Sequence, residues 1–418
     1  MKKFQVMRVI FSLVFVAVLT VNAAFAIQAG DLMQGIEPAE VKGKALDERF
    51  QEAQMYFSLS LFQNVFSERN SGNENVLISP LSVSVALAMT ANGASGTTLE
   101  EMEALFGGAL SVEELNEYMY RYVNNLPSGE KNKLRLANSI WLSARKDFHV
   151  KNAFLQKNAD YYGADVFQTK FNGSFVNDIN RWVSQRTDGK INKILDKANA
   201  DDVFYLVNAL SFDAEWSSIY YDTQIEDGEF TSAGGEKRAV EMMCSREKYV
   251  HDELAKGFLK NYDYREYEFV AMLPNEGVDL ETYVQSLTAE NVLQMIRDRS
   301  GEAIVRLPKF RYECSYKLKD SLLHMGMQSA FERGRADFSG MIEYAPDDVF
   351  IGNVEHKTFI SVNERGTSAG AATFVEGLSG ALPEPDPEIL WFDRPFVFFI
   401  MDTENHLPLF IGAVADIV

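Results

Sequence analysis

Apolar side chains recur at three- and four-residue spacing at Phe50, Ala53, Phe57, Leu61 and Val65, the stripe of a helix that buries one face. A second helix is marked in NVLISPLSVSVALAMTANGASG, where Ser79 can cap the first free amides and Pro80 fits the first helical position. Gly93 and Gly96 are expected to end it. From about residue 200 the pattern changes to short, nearly continuous apolar runs, VFYLVNALSF, EFVAML, AIVRLPKF and HKTFISVN, which predict strands. Helices first and strands later give a mixed α+β class. The last 30 residues are too few for a domain and too apolar for a tail, so they are predicted as strands of the main core. No linker, repeat or low-complexity tract divides the chain after its start, so residues 47–418 read as one domain behind a polar lead-in over 27–46.

The pattern breaks at residues 362–388, VNERGTSAGAATFVEGLSGALPEPDPE, between two predicted core strands. Loops longer than about 12 to 15 residues without structure of their own are uncommon and usually functional. From Gly366 to Thr373 every side chain is small, so this stretch can slide as a strand between two others without a steric block. Its inner face would be Thr367, Ala369, Ala371, Thr373 and Val375, and its outer face Ser368, Gly370, Ala372 and Phe374. Pro383, Pro385 and Pro387 cannot donate to a ladder and keep the far half outside any sheet. On composition alone, a flexible linker of small residues is the favoured reading.

Residues 1–26 carry Lys2, Lys3 and Arg8, then an apolar run, then Ala24 and Ala26 around a cut, the layout of a signal peptide. Cleavage near Ala26 is therefore expected, with a secreted, periplasmic or cell-surface location, and no later segment is apolar enough to span a bilayer. A formal charge of −20 repels nucleic acid and heparin-type polyanions, so neither is an expected partner. Cys244 and Cys314 are too few for a disulfide framework and read as buried thiols, their pairing left open. His149, His251, His324, His356 and His406 fall in no catalytic or metal motif, and no phosphate-binding or nucleophile signature occurs. No enzyme activity, metal or cofactor is expected.

From Phe50 onward the chain resembles the serpin family. NVLISPLSVSVALAMTANGASGTTLEEM, LANSIWL, FLQKNADYYGADVFQTKF, INRWVSQRTDGKI, LVNALSFDAEW and FVAMLPNE are followed by VRLPKFRYECSYKLKDSLLHMGMQSAFERGRADFSGM, VEHKTFISVNERGTSAGAAT and DRPFVFFIMDTENHLPLFIGAV, in the family's order. The resemblance implies one domain of about nine helices and three β-sheets, with an exposed reactive-centre loop over about 364–392. It also implies a monomeric suicide-substrate inhibitor of serine proteases, here an exported, bacterial member. The freed hinge would insert into the central sheet after acylation and distort the protease.

Residue by residue, the resemblance places the hinge at Glu364, Arg365, Gly366, Thr367, Ser368, Ala369, Gly370, Ala371, Ala372 and Thr373, departing from the common acidic residues at Arg365 and Ser368. Lys309 matches the lysine that pairs with Glu364, and Ser79, Asn208 and His356 match a polar cluster where the sheet opens. The scissile bond falls among Leu378, Ser379, Gly380, Ala381 and Leu382. Residues 366–393 contain no Lys or Arg, so elastase-like proteases are the expected partners and trypsin-like ones are not. Glu376, Glu384, Asp386 and Glu388 make the loop acidic and suited to a cationic protease. Two other readings are a non-inhibitory serpin acting as a carrier or chaperone, against which the small hinge residues argue, and an exported structural or adhesive protein.

Overall fold

The computed structural model describes residues 27–69, 73–144, 148–199, 202–299, 301–343, 349–367 and 387–417. The leader at 1–26 lies outside them. In chain order the elements are β1 (Gly30–Asp31), α1 (Glu48–Glu68), β2 (Val76–Ile78), α2 (Pro80–Ala91), α3 (Gly96–Ala104), α4 (Val112–Asn125), β3 (Asn132–Ser143) and α5 (Asn152–Tyr162). Then follow β4 (Asp165–Thr169), α6 (Gly173–Arg186), β5 (Phe204–Glu215), β6 (Ile225–Thr231), β7 (Lys237–His251), β8 (Ala255–Asn261) and β9 (Tyr267–Pro274). The last are α7 (Leu280–Ser286), α8 (Ala289–Arg297), β10 (Glu302–Pro308), β11 (Phe310–Lys317), α9 (Lys319–His324), β12 (Ile351–Asn363), β13 (Gly366–Thr367), β14 (Glu388–Trp391), β15 (Phe396–Asp402) and β16 (Pro408–Val414).

The spacing of Phe50, Ala53, Phe57, Leu61 and Val65 buries all five on one side of α1, whose start is capped by Asp47. Ser79 caps α2 through the Ser82 amide at 3.3 Å, and this helix is buried all round. It ends at Ala91, before Gly93, and Gly96 departs from expectation: at φ +52° it opens α3 instead of closing α2.

Seven strands form one sheet in the order β1-β4-β3-β5-β13-β12-β11. The larger sheet runs β14-β10-β7-β8-β9-β15-β16-β2, with β6 alongside β7. The three expected sheets are present, but two are continuous through the 15-residue β7, which pairs first with β6 and then with β8. The main core lies between the sheets and the helices around α2. On the outer face of the seven-stranded sheet, α6 buries a second cluster in which Trp141 stacks on Phe167 at 4.3 Å. Both cysteines are free, Cys314 buried and Cys244 half-buried. Among the described residues no helix is long and apolar enough to cross a membrane.

The polar lead-in has structure of its own. β1 adds a strand to β4, and the Gln28 and Ala29 amides donate to the buried Asp178 carboxylate of α6 at 3.1 and 3.0 Å. Gln156 of α5 reaches the Glu37 carbonyl, and the Ala39 amide donates to Asp160. The segment thus straps two helices to the sheet edge. Asp178→Ala leaves two amides without their acceptor and is expected to lower stability by about 1 to 3 kcal/mol, read as a lower thermal midpoint.

Candidate functional site

β5 and β12 lie side by side and parallel along Phe204–Leu210 and Ile351–Thr358. Above that point they part, and β13 sits between them, antiparallel to both. Gly366 faces Asn363 and Glu215, and Thr367 faces Val362 and Ala214. Gly366 has φ +156°, and a Cβ there would lie 2.0 Å from the Ala214 carbonyl oxygen, so only glycine fits. Thr367 is 2% exposed, and its hydroxyl lies 2.6 Å from that of Tyr262, whose ring stacks on Trp216 at 4.5 Å. Burial pushes the Tyr262 phenol well above its ordinary pKa and keeps its proton in place.

The turn before β13 is clamped from the chain that follows β5. The Trp216 and Tyr220 amides donate to the carbonyls of Arg365 and Glu364 at 2.7 and 2.8 Å. The Trp216 indole N–H donates to the Asn363 carbonyl at 2.9 Å, and Asn363 Oδ1 accepts from the Arg365 amide. Lys309 reaches Glu364 at 3.0 Å and Glu241 at 3.3 Å. Burial works against its ammonium, but the two carboxylates outweigh burial and raise its pKa. Burial likewise pushes Glu364 up, yet its backbone amide and Lys309 hold it below the usual carboxylate range. Tyr262→Phe strands the Thr367 hydroxyl in the seam. It is expected to shift the hinge outward by about 1 to 3 kcal/mol, measured as faster hydrogen exchange at Thr367.

Beneath the closed part of the seam, three elements meet at His356. The Ser79 amide, where β2 enters α2, donates to His356 Nε2 at 3.0 Å, so Nδ1 carries the proton and donates to Asn208 Oδ1 of β5. Full burial lowers His356 to about 3, against a smaller opposing effect of its bond to Asn208. Thr358 donates to the Leu77 carbonyl at 2.7 Å. The Asn208 amide nitrogen is buried without a partner among the described residues. This cluster ties β5 and β12 to the core from behind. On the opposite face of β12, Glu355 is also buried, accepting from Asn353 at 2.6 Å. Burial pushes it up to about 7; Lys317 opposes this, while Asp196 and Asp202 add to it.

The expected pairing of Lys309 with Glu364 and the meeting of Ser79, Asn208 and His356 are both present as geometry. Of the hinge, Glu364, Arg365, Gly366 and Thr367 are at the seam. Ser368–Thr373 and the scissile candidates Leu378–Leu382 lie outside the described residues. Tyr262, Tyr220 and Glu241 were not legible as site residues, because each comes from another strand or loop, and Glu355, although on β12 itself, carries no local signal of its burial. Trp216 was signalled by LVNALSFDAEW without a role. Among the described residues no group of three or more His, Cys, Asp or Glu is arranged to hold a metal.

The two-residue β13 stands wedged at the mouth of the parallel seam between β5 and β12. A family model described as Serpin (serine protease inhibitor) matches residues 52–417. Leukocyte elastase inhibitor A of Mus musculus is 31% identical over 88% of this chain and 100% of its own length. The native-state crystal structure of the thermophilic serpin tengpin is 42% identical, covers 94% of this chain and 100% of that chain, and superposes with a TM-score of 0.88. Tengpin in the latent state, 40% identical over 90% of this chain and 100% of that chain, superposes at 0.77. The chain belongs to the serpin family, and its arrangement is nearer to the native form of that relative than to the latent one.

Proposed function

We propose that this chain is an exported suicide-substrate inhibitor that traps elastase-type serine proteases through insertion of its cleaved loop. The observation that carries the reading is β13: Gly366 and Thr367 already occupy the top of the β5–β12 seam. Continued in that register, Ala369 would face Ile360 and Phe212, and Ala371 would face Thr358 and Leu210. Thr373 would come between His356 and Asn208. Residues 377 and 378 would reach Phe204 and Ile351 at the lower end of the seam, so the room available matches a scissile bond among Leu378–Leu382. Every inward residue down to Thr373 is small.

The protease serine attacks a loop carbonyl and forms an acyl-enzyme ester, releasing the C-terminal side of the loop. The freed strand then replaces one parallel β5–β12 ladder with two antiparallel ones. Parallel pairing is the weaker per residue, and the added strand doubles the hydrogen bonding across the seam. Insertion therefore runs downhill from a metastable start. It has to outrun hydrolysis of the ester to trap the enzyme.

Elastase-type specificity is supported by the absence of Lys and Arg over 366–393 and by the relative named leukocyte elastase inhibitor A. Export is supported by the signal-peptide layout of residues 1–26. Incubation with pancreatic elastase and with trypsin tests the reading. A complex stable on denaturing gels is expected with elastase only, and mass spectrometry of the released C-terminal peptide identifies the cut bond. The nicked chain is expected to melt tens of degrees higher than the intact one. An unchanged melt would show that the loop stays outside and that the chain is a carrier or a plain substrate.

A further inference from the structure

The outward faces of β10 and β14 hold a contiguous apolar exposure. Ile389 is 64% exposed, Trp391 50% and Ile304 38%, three of the six large hydrophobic side chains left exposed among the described residues. The other three, Tyr56, Tyr221 and Tyr264, stand on separate parts of the chain. β14 runs parallel to β10 with Ile389 opposite Ile304 and Trp391 opposite Arg306, whose guanidinium lies 4.8 Å from the Trp391 ring centre. β14 is also the terminal strand of its sheet. Edge strands are normally blunted by charge, and tryptophan is rarely left half in water without a use.

The surroundings favour an apolar partner over a highly charged one. Arg306 pairs with Glu226 at 3.0 Å, Arg246 with Glu302 at 2.8 Å, and Lys256 with Glu388 at 2.9 Å, so the rim is polar but internally neutralised. An apolar centre inside such a rim is the anatomy of a protein interface, and tryptophan and arginine are the residue types that most often dominate one.

Position says what would cover it. β14 begins at Glu388, and the scissile candidates at 378–382 precede Ile389 by 7 to 11 residues, a reach of at most about 25 to 40 Å. A protease of about 230 residues has a radius of about 22 Å. Glu364, at the mouth of the seam, pairs at 3.0 Å with Lys309, which follows β10 directly, and β14 pairs with β10, so an enzyme seated on the segment within that reach stands beside β14.

We propose that Trp391, flanked by Ile389, Ile304 and Arg306, is a second contact surface for the protease that engages the loop, meeting an apolar part of that enzyme's rim beside its active-site cleft. This rests on the protease-directed reading of the loop. The contact raises the rate of capture and leaves the partition between trapping and turnover unchanged, because β14 lies outside the β5–β12 seam.

Docking is measured with pancreatic elastase whose nucleophilic serine is replaced by alanine, which binds without cutting. Trp391→Ala and, separately, Ile389→Ser are expected to weaken this docking by about five- to twentyfold. Tyr264→Ala, a more exposed aromatic elsewhere, is expected to leave it unchanged. With active elastase the rate of complex formation falls by the same factor and the stoichiometry holds. Docking within twofold of the parent for both variants overturns the proposal. So does a dimer of the parent chain in sedimentation that Trp391→Ala dissolves, because the patch is then a contact between copies. If the parent docks but active elastase cuts it without being trapped, the inhibitor reading fails and the patch is still judged by the docking series. A parent that does not dock at all sinks both.

Discussion

If the chain traps elastase as proposed, Thr367→Arg is expected to turn it into a substrate that elastase cuts and releases. Thr367 sits in the seam facing the apolar Val362 and Ala214, with its hydroxyl on the buried Tyr262 phenol. An arginine there is expected to leave the seam in the intact chain, and returning its guanidinium during insertion costs at least about 3 kcal/mol, which slows insertion about a hundredfold or more while deacylation continues at its own rate. The ratio of complexed to cleaved chain on denaturing gels should collapse. Thr367→Ser keeps the hydroxyl and the small volume and should trap as the parent does. Arg365→Ala, in the turn above the seam, should also leave trapping intact. Trapping at the parent stoichiometry by Thr367→Arg would remove the role given to the seam.

The same position shows what sequence can and cannot say. Small residues from Gly366 onward signal that a strand can enter a sheet, because side-chain volume is a local property. Why position 366 must be glycine is not local: its missing Cβ makes room for the Ala214 carbonyl, more than 150 residues earlier in the chain. Tyr262 is equally invisible, since nothing in its local sequence says which hydroxyl it meets. The helices were legible where a period or a cap exists, as at Phe50–Val65 and Ser79–Pro80. Gly96 was misread because glycine at φ +52° serves the start of α3 as well as it would serve the end of α2. The lead-in read as merely polar, yet its bonds to Asp178 are made by backbone amides, which every residue but proline carries.

Lowering the pH sets two neighbours on β12 against each other, and Glu355→Gln is expected to expose the contest. His356 falls from its ordinary 6.5 to about 3 in the folded chain because burial disfavours its cation. Its contribution to stability is whole above pH 6.5 and is lost as the pH falls toward 3, at about 1.4 kcal/mol per pH unit. Glu355 rises from 4.5 to about 7, again through burial. Its contribution is whole below pH 4.5 and is lost as the pH climbs through 7, with the opposite slope. Between pH 4.5 and 6.5 the two slopes cancel, so together they hold stability level, and acid destabilisation from His356 emerges only below 4.5. Glutamine keeps the shape and the hydrogen bond from Asn353 but cannot ionise. The variant should therefore be about 3 kcal/mol more stable than the parent at pH 8 and equal to it near pH 4. Its decline on acidification should begin near pH 6.5. Urea unfolding of both chains from pH 4 to 8 measures the difference directly, and other buried carboxyls raised in the same way, Glu268 and Asp402, drop out of it. A difference that stays constant across that range would mean that Glu355 does not titrate within the seam. Because insertion must separate β12 from β5 at this level, a parent chain faster to trap at pH 8 than at pH 5, with the variant slow at both, would tie the same carboxylate to the opening of the sheet.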